Sequence, residues 1–500
     1  MSYAAAEAHF RRLGQLGHAG AILQWDEAVM MSPGGGEARA SAVAALQVTA
    51  HELLTSPRTG ELLEAARNDA RNDELDGFRS ASLREMERGY ARATCLPPQL
   101  VEAMSKAQSA SEQAWRSMRA ENDWRGFVPL LQEVVALRRE AAAALGQALG
   151  LSPYDALMDE FEPGARAERI DGVFAELKAF LPGFIDEVIE HQAGVEVLPL
   201  QGPFAVERQR ALGRRLMQAV GFDTQRGRLD ESHHPFCGGV PTDVRITTRY
   251  DEADFTSALM GVLHETGHAK YEQGLPTAWA DLPIGAARGM AHHEGQSLLQ
   301  EMQVSRSREF LTFAAPIIRE ELGIDVAEPA FSVDNLCLAY TRVERSLIRV
   351  DADEVTYPCH VILRYEIERP LIEGTMSVAD IPEAWDAGMR EVLQLSTDGD
   401  YRDGCMQDVH WPSGAFGYFP TYTLGAMVAA QLYDRAVTVH PEIPAEIAGG
   451  GFDGLNRFLA DAIWSHGSRY DGDELLRRAT GEPLEAAYLE RHLRRRYLGT

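Results

Sequence analysis

In the stretch GVLHETGHAKYEQG, residues 261–274, two histidines stand four apart and a glutamate directly follows the first. On a helix, His264 and His268 lie about 40° apart around the axis and one turn apart along it, so both imidazoles can reach one ion. Glu265 is rotated about 100° from His264 and would flank that ion without ligating it. That position suits a general base acting on a metal-activated water. A zinc hydrolase uses three protein ligands and keeps a fourth position open. Glu294, in AHHEGQSLLQE, is the expected third ligand, across the turn-rich stretch QGLPTAWADLPIG. Glu272 competes for the role, four residues after His268. Three ligands in a row along one helix would diverge as it rises, which favours Glu294. His292 or His293 could ligate instead, or orient Glu294 through a hydrogen bond. Gly267 points the same way: glycine inside a helix costs about 1 kcal/mol relative to alanine, so something is expected to approach the backbone there.

The elements that must position these groups read as helices. Apolar residues recur at i, i+3, i+4 over 4–24, 36–56, 60–92, 98–121, 124–148 and 166–193. They do so again over 285–322, 328–350, 357–374, 380–395, 421–439 and 451–465. Segments 194–204 and 230–243 read as coil. DVRITTRY, residues 243–250, alternates apolar and polar positions and is rich in β-branched residues, the signature of a strand. It leads directly into the HETGH helix, for which Asp251 is the expected cap and Asp254 a favourable charge near the helix start. The glycine triplets at 34–36 and 449–451 lack the Lys-Ser/Thr of a phosphate loop and read as turns. The expected fold is mainly α, with a small sheet beside the chemistry.

Composition narrows the function. The chain has 500 residues, 45% hydrophobic and 25% charged, enough for two or three cores or one large helical body. No apolar run reaches the roughly eighteen residues of a membrane span, and the first residues lack a secretory-signal pattern, so the expectation is a cytoplasmic protein with no membrane partner. A formal net charge of −27 argues against nucleic acid, which demands a clustered basic footprint. Lysine occurs only at 106, 178 and 270, which reads as genome composition, with adaptation to high salt as the alternative. The five cysteines are scattered without a CxxC pair, so neither disulfides nor a thiolate metal site is expected.

HExxH alone does not choose between exopeptidase and endopeptidase. A carboxypeptidase needs a cation or strong donors beside the metal for the free carboxylate of its substrate; an endopeptidase needs an open groove. Several further motifs bear on this choice. They are His234-Pro235-Phe236, then Asp243, Arg245 and Thr247, and HETGH itself. After these come His293-Glu294-Gly295-Gln296, the group Ile348, Arg349, Ala352 and Asp353, and the group Gly404, Gln407, Asp408, His410 and Trp411. In order and spacing they resemble the carboxypeptidase Taq family of metallocarboxypeptidases, with weaker similarity reaching both ends of the chain. The resemblance implies a neurolysin-like helical body with a deep substrate groove. It also implies one catalytic unit over 1–500, in which 1–200 form a wall or lid and 201–500 carry the metal. It further implies a homodimer that releases C-terminal residues from peptides with broad tolerance, using zinc or, alternatively, cobalt. By match to its motifs, His264, His268 and Glu294 are the ligands and Glu265 the base.

The remaining roles rest on chemistry as much as on the resemblance. Arg349 is the first choice to clamp the substrate carboxylate, against an ion pair with Asp351 or Asp353. Arg245 is the second choice, against pairing with Asp243 or Asp353. Gln407 could help bind the carboxylate, and Asp408 could orient a neighbour. His410 could donate to the oxyanion, where a placed donor is worth about 3 kcal/mol, against packing on Trp411. Tyr422 or Tyr418 could assist it. His234 is expected to stabilise a turn. The competing readings are an endo-oligopeptidase, a non-catalytic metal-binding protein and a purely structural helical protein.

Overall fold

Side-chain caps and turn residues cut the helical stretches into defined elements. The computed structural model describes residues 3–72 and 76–500. The amino-terminal helices are α1 (Tyr3–Val29), α2 (Gly36–Thr55), α3 (Pro57–Asn72), α4 (Gly77–Thr94), α5 (Pro98–Ala120), α6 (Trp124–Leu149), α7 (Pro153–Phe161), α8 (Ala167–Gln192) and α9 (Val206–Ala219). Strands β1 (Gly227–Glu231), β2 (Cys237–Val240) and β3 (Asp243–Thr248) follow, then α10 (Phe255–Gly274) and α11 (Met290–Leu298). A π-helical segment, Leu299–Ser305, continues α11. Beyond it lie α12 (Arg308–Leu322), α13 (Val333–Tyr340), α14 (Tyr357–Glu373), α15 (Ile381–Leu393) and α16 (Pro420–Val439). The chain closes with α17 (Ile443–Ala448), α18 (Asp453–Ala462), α19 (Gly472–Thr480) and α20 (Ala486–Leu498). The expectation of a mainly α protein with a small sheet holds. Among the described residues no helix is long and apolar enough to cross a membrane.

Two large cores meet at α16. Leu424, Met427 and Ala430 pack into one, with α6, α8 and α14; Val428, Ala429 and Leu432 pack into the other, with α9, α10 and α12. A separate small core joins α1, α3 and α4 to Leu282 and Ile284. In the sheet, ordered β1-β3-β2, β3 pairs parallel with β1 and antiparallel with β2. Val244 and Ile246 of β3 pack on Val262 and Ala269 of α10, which seats the HETGH helix against the sheet.

Several expectations shift. The stretch 60–92 is divided between α3 and α4, and residues 73–75 lie outside the described residues. Segment 230–243 is not all coil: it holds the end of β1 and all of β2, whose pairing partners sit on β3. Helices α7, α9, α17, α19 and α20 went unassigned. The stretch 328–350 is helical only over α13. Beyond it the Asp353 carboxylate accepts from the backbone N–H groups of Glu344, Val355 and Thr356, giving the chain a non-helical alternative. Asp254 is the cap of α10, accepting from Thr256 and Ser257, whereas Asp251 accepts from Ala253 in the preceding turn.

At Gly267 the expected close approach is present. A Cβ there would lie 2.4 Å from the carbonyl oxygen of Gln296 and 2.5 Å from the Cα of Ser297, both backbone atoms of α11. Gly267→Ala would gain about 1 kcal/mol of helix propensity against overpacking of about 3 kcal/mol, a net loss of about 2 kcal/mol. Denaturant unfolding checks this; unchanged stability would contradict the tight α10–α11 contact.

Candidate active site

Because α10 and α11 touch at Gly267, the donor atoms of His264, His268 and Glu294 all lie within 4.8 Å of one another. Glu294 Oε2 is 3.5 Å from His268 Nε2 and 3.9 Å from His264 Nε2. Gly425 of α16 gives the Glu294 side chain its room: a Cβ there would meet Glu294 Cγ at 2.8 Å.

The outer ring nitrogens are held from behind. Nδ1 of His264 is 2.9 Å from Glu301 Oε2, and Glu301 Oε1 accepts from Arg306 at 2.6 Å. Nδ1 of His268 is 2.6 Å from Nδ1 of His293, whose Nε2 is 2.8 Å from Glu272 Oε1. Glu272 is thus engaged by His293, and His293 orients His268 and not Glu294. His292 is turned away, its Nε2 donating to the Gly472 carbonyl at 2.8 Å.

The electrostatics suit a cation. Burial opposes charge on His264, yet the hydrogen bond to Glu301 and the charges of Glu294 and Glu265 outweigh it and lift its pKa to about 10. Burial lowers His268 to about 4. Burial would raise Glu294, but its hydrogen bond to His268 and the neighbouring imidazoles bring it down to about 2. Two imidazole nitrogens and an ionised carboxylate, each fixed by a partner, fit a divalent ion of the zinc or cobalt type. Glu265 is 6% exposed, and its Oε2 is buried without a hydrogen-bond partner among the described residues. Burial raises its pKa to about 7, in the range of a working base.

A second cluster lies on α16 and the loop before it. Tyr422 is one turn before Gly425, so it faces the same side as Glu294. Its hydroxyl is 3.3 Å from His410 Nε2, and the His410 ring packs on Phe419 at 4.4 Å between centroids. Burial is the main cause of a His410 pKa lowered to about 4, so the ring is neutral at pH 7. Trp411 turns elsewhere, donating to Glu368 at 3.0 Å, and Glu368 also accepts from Tyr154 and Gly417.

The expected carboxylate binders are placed differently from one another. Arg349 donates through Nε and Nη2 to Asp408 at 3.0 and 2.9 Å and through Nη1 to Tyr357 at 2.8 Å, with the Tyr422 ring over its plane. Its ion-pair partner is therefore Asp408, not Asp351 or Asp353. Gln407 is spent on backbone: Oε1 accepts from Arg349 N, and Nε2 donates to the carbonyls of Leu347, Asp403 and Gly404. Arg245 forks onto Asp243 at 2.9 and 2.6 Å and lies over Trp25. Thr247 ties the His234-Pro235-Phe236 turn to β3, accepting from Phe236 N and Ser232 Oγ.

The profile of the carboxypeptidase Taq (M32) metallopeptidases matches residues 5–497. The chain belongs to this family. The thermostable carboxypeptidase 1 of Thermus thermophilus is 40% identical over 496 residues, 96% of each chain. Carboxypeptidase 1 of Bacillus subtilis is 33% identical, covering 97% of this chain and 96% of that one. Among solved structures, Trypanosoma cruzi metallocarboxypeptidase 1 superposes with a TM-score of 0.96 at 43% identity, over 99% of both chains. As a carboxypeptidase Taq member the chain is an enzyme, a metallocarboxypeptidase, and a metal ion is implied.

Glu301 was missed by the motif reading, although it stands seven residues after Glu294, close to the same helical face. Glu301→Gln removes the charge facing His264 while keeping an acceptor. Metal affinity is expected to fall about tenfold, as for other groups that orient a ligating imidazole, in a competition titration with a chelator. Unchanged affinity would mean that Glu301 does not support the ligand.

Proposed function

We propose that this chain removes C-terminal residues one at a time, with broad side-chain tolerance, from peptides whose carboxyl end is free. The reading rests on the convergence of His264, His268 and Glu294 beside the unpartnered base Glu265, with neutral His410 and Tyr422 across from them. The first three residues would hold zinc, or cobalt as the alternative. Such an ion supplies Lewis acidity toward the scissile carbonyl and lowers the pKa of water. Glu265 takes the proton of the attacking water and delivers it to the leaving amine. His410 and Tyr422 donate toward the developing oxyanion; a neutral imidazole with one N–H and a hydroxyl of raised pKa both remain protonated donors at neutral pH.

Arg349 is assigned to the terminal carboxylate. Nη1 donates to Tyr357 with one of its two N–H groups, which leaves the other for a substrate oxygen. Arg245 and Gln407 act through the scaffold, the one on Asp243 and the other on the loop beneath Arg349. We treat 1–500 as one catalytic unit, with 1–200 as a wall of a deep groove and 201–500 carrying the metal; the single unit is supported by cores that the two parts share, Leu282 and Ile284 packing with α1, α3 and α4, and α6 and α8 with α14 and α16. A homodimer, as the resemblance to the family implies, and a cytoplasmic location belong to the same proposal.

Mass spectrometry of an unblocked peptide tests the reaction. Stepwise loss from the carboxyl end, stopped by a chelator and nearly absent on the amidated peptide, is the expected result. Internal cleavage of the amidated peptide would favour an endo-oligopeptidase instead. Glu265→Gln should keep stoichiometric metal and lose turnover by about 10²–10⁴-fold. Near-normal turnover in that variant would sink the assignment of the base.

A further inference from the structure

The last turn of α20 reaches the segment that carries Glu301. Arg496, on α20, donates through Nη1 to the Met302 carbonyl and through Nη2 to the Gln303 carbonyl at 3.2 Å. Both carbonyls lie at the carboxyl end of the π-helical segment, where helix geometry leaves acceptors without backbone partners. The same Nη1 donates to Glu354 Oε2 at 3.0 Å. Glu354 is buried, and it also takes the Tyr497 hydroxyl at 3.0 Å and pairs with His492 Nε2 at 2.7 Å, two further groups of α20. Met302 directly follows Glu301, the residue that holds His264.

A π-helix is rare and occurs mostly as a short bulge in an α-helix, frequently at functional sites, so the contacts that set this segment matter for the site beside it. One outside partner is Lys270, which donates to Gln300 at 2.7 Å; another is the forked Arg496, which is itself fixed by a buried carboxylate. Glu354 also lies on the loop that begins with Arg349, so it joins the metal side of the site to the His410 side through the carboxyl-terminal helix.

We propose that Arg496 and Glu354 are positioning residues for the metal: they set the π-helical segment so that Glu301 meets His264, and the end of the chain thereby determines metal affinity. The inference rests on His264, His268 and Glu294 being the ligands. Neither residue touches the ion or the substrate. A lysine at 496 would keep the ion pair with Glu354 but could not fork onto two carbonyls.

The test is zinc affinity of the full-length protein, by chelator competition, together with the visible absorption of the cobalt-substituted protein. Arg496→Ala should weaken zinc binding about 10–100-fold and shift the cobalt spectrum. Arg496→Lys should fall between that variant and the parent. Arg494→Ala serves as the control: it removes pairs with Glu187 and Glu490 from the same helix and should change neither readout. Parent-like zinc affinity and cobalt spectrum in Arg496→Ala would overturn the inference even if its melting temperature falls. Should Arg496→Ala fail to fold, parent-like values in Arg496→Lys would overturn it as well. A parent protein that retains no stoichiometric zinc would instead overturn the ligand assignment on which the inference stands.

Discussion

Helices α10 and α11 come within backbone contact at Gly267, and the spacing of every donor in the metal site follows from that contact. The carboxylate on α11 meets two imidazoles on α10 because the two helices run side by side, so closely that a Cβ at 267 would lie 2.4 Å from the Gln296 carbonyl oxygen. Glycine at 267 removes the one Cβ that would prevent it, and Gly425 does the same where α16 passes Glu294. The sheet holds α10 from the other side through Val262 and Ala269, so the helix cannot retreat from α11. The apolar cores therefore set a distance, and that distance brings together three side chains that could hold a metal ion.

What surrounds the centre is costly by comparison. Glu301, Glu354, Glu368 and Asp408 are all largely buried, and each is compensated by several donors. Buried pairs of this kind often stabilise a fold no better than apolar residues of the same size, while losing one partner costs about 3–5 kcal/mol. Their value here is orientation. Glu301 fixes an imidazole, Asp408 holds both Arg349 and Arg364, and Glu368 gathers Tyr154, Trp411 and Gly417 around the loop that carries His410. Each carboxylate turns a flexible connection into a fixed one.

This explains how far the site could be read from the chain. Residues 264, 265 and 268 were legible because helix periodicity alone places them together, and Glu294 because one turn-rich connection returns the next helix. The close approach at Gly267 was legible as an unexplained cost. The true partner of Arg349 was not, because Asp408 lies 59 residues away and no local period links them. Gln407 looked like a binding group because its side chain is polar, yet it is consumed by four backbone contacts. Glu301 carried a signal in its spacing of seven residues from Glu294, but it stands outside every quoted motif and its partner, His264, lies 37 residues away on another helix. The strands β1 and β2 carry glycine and charge in place of an apolar alternation, and they exist because β3 offers both its edges. Asp254 displaced Asp251 as the cap of α10 because two free backbone donors face its carboxylate.

The strongly acidic surface raises the question of how an anionic peptide end would approach such a protein. Surface charges are screened within about 8 Å at physiological ionic strength, so the total of −27 acts weakly at a distance. Inside the site the balance differs. Arg349 and Arg364 share the single carboxylate of Asp408, leaving one net positive charge in a place that water screens little. At His410, burial is the main cause of neutrality; the charge of Asp408 opposes it, and those of Arg349 and Arg364 act with it. The two arginines that would attract a terminal carboxylate thus offset the pull of Asp408 on the neighbouring imidazole, and with that imidazole neutral Arg349 would be the cation offered to the substrate's end. Recognition of a carboxylate would then draw on the buried charge imbalance, while the neutrality of His410 rests first on its burial.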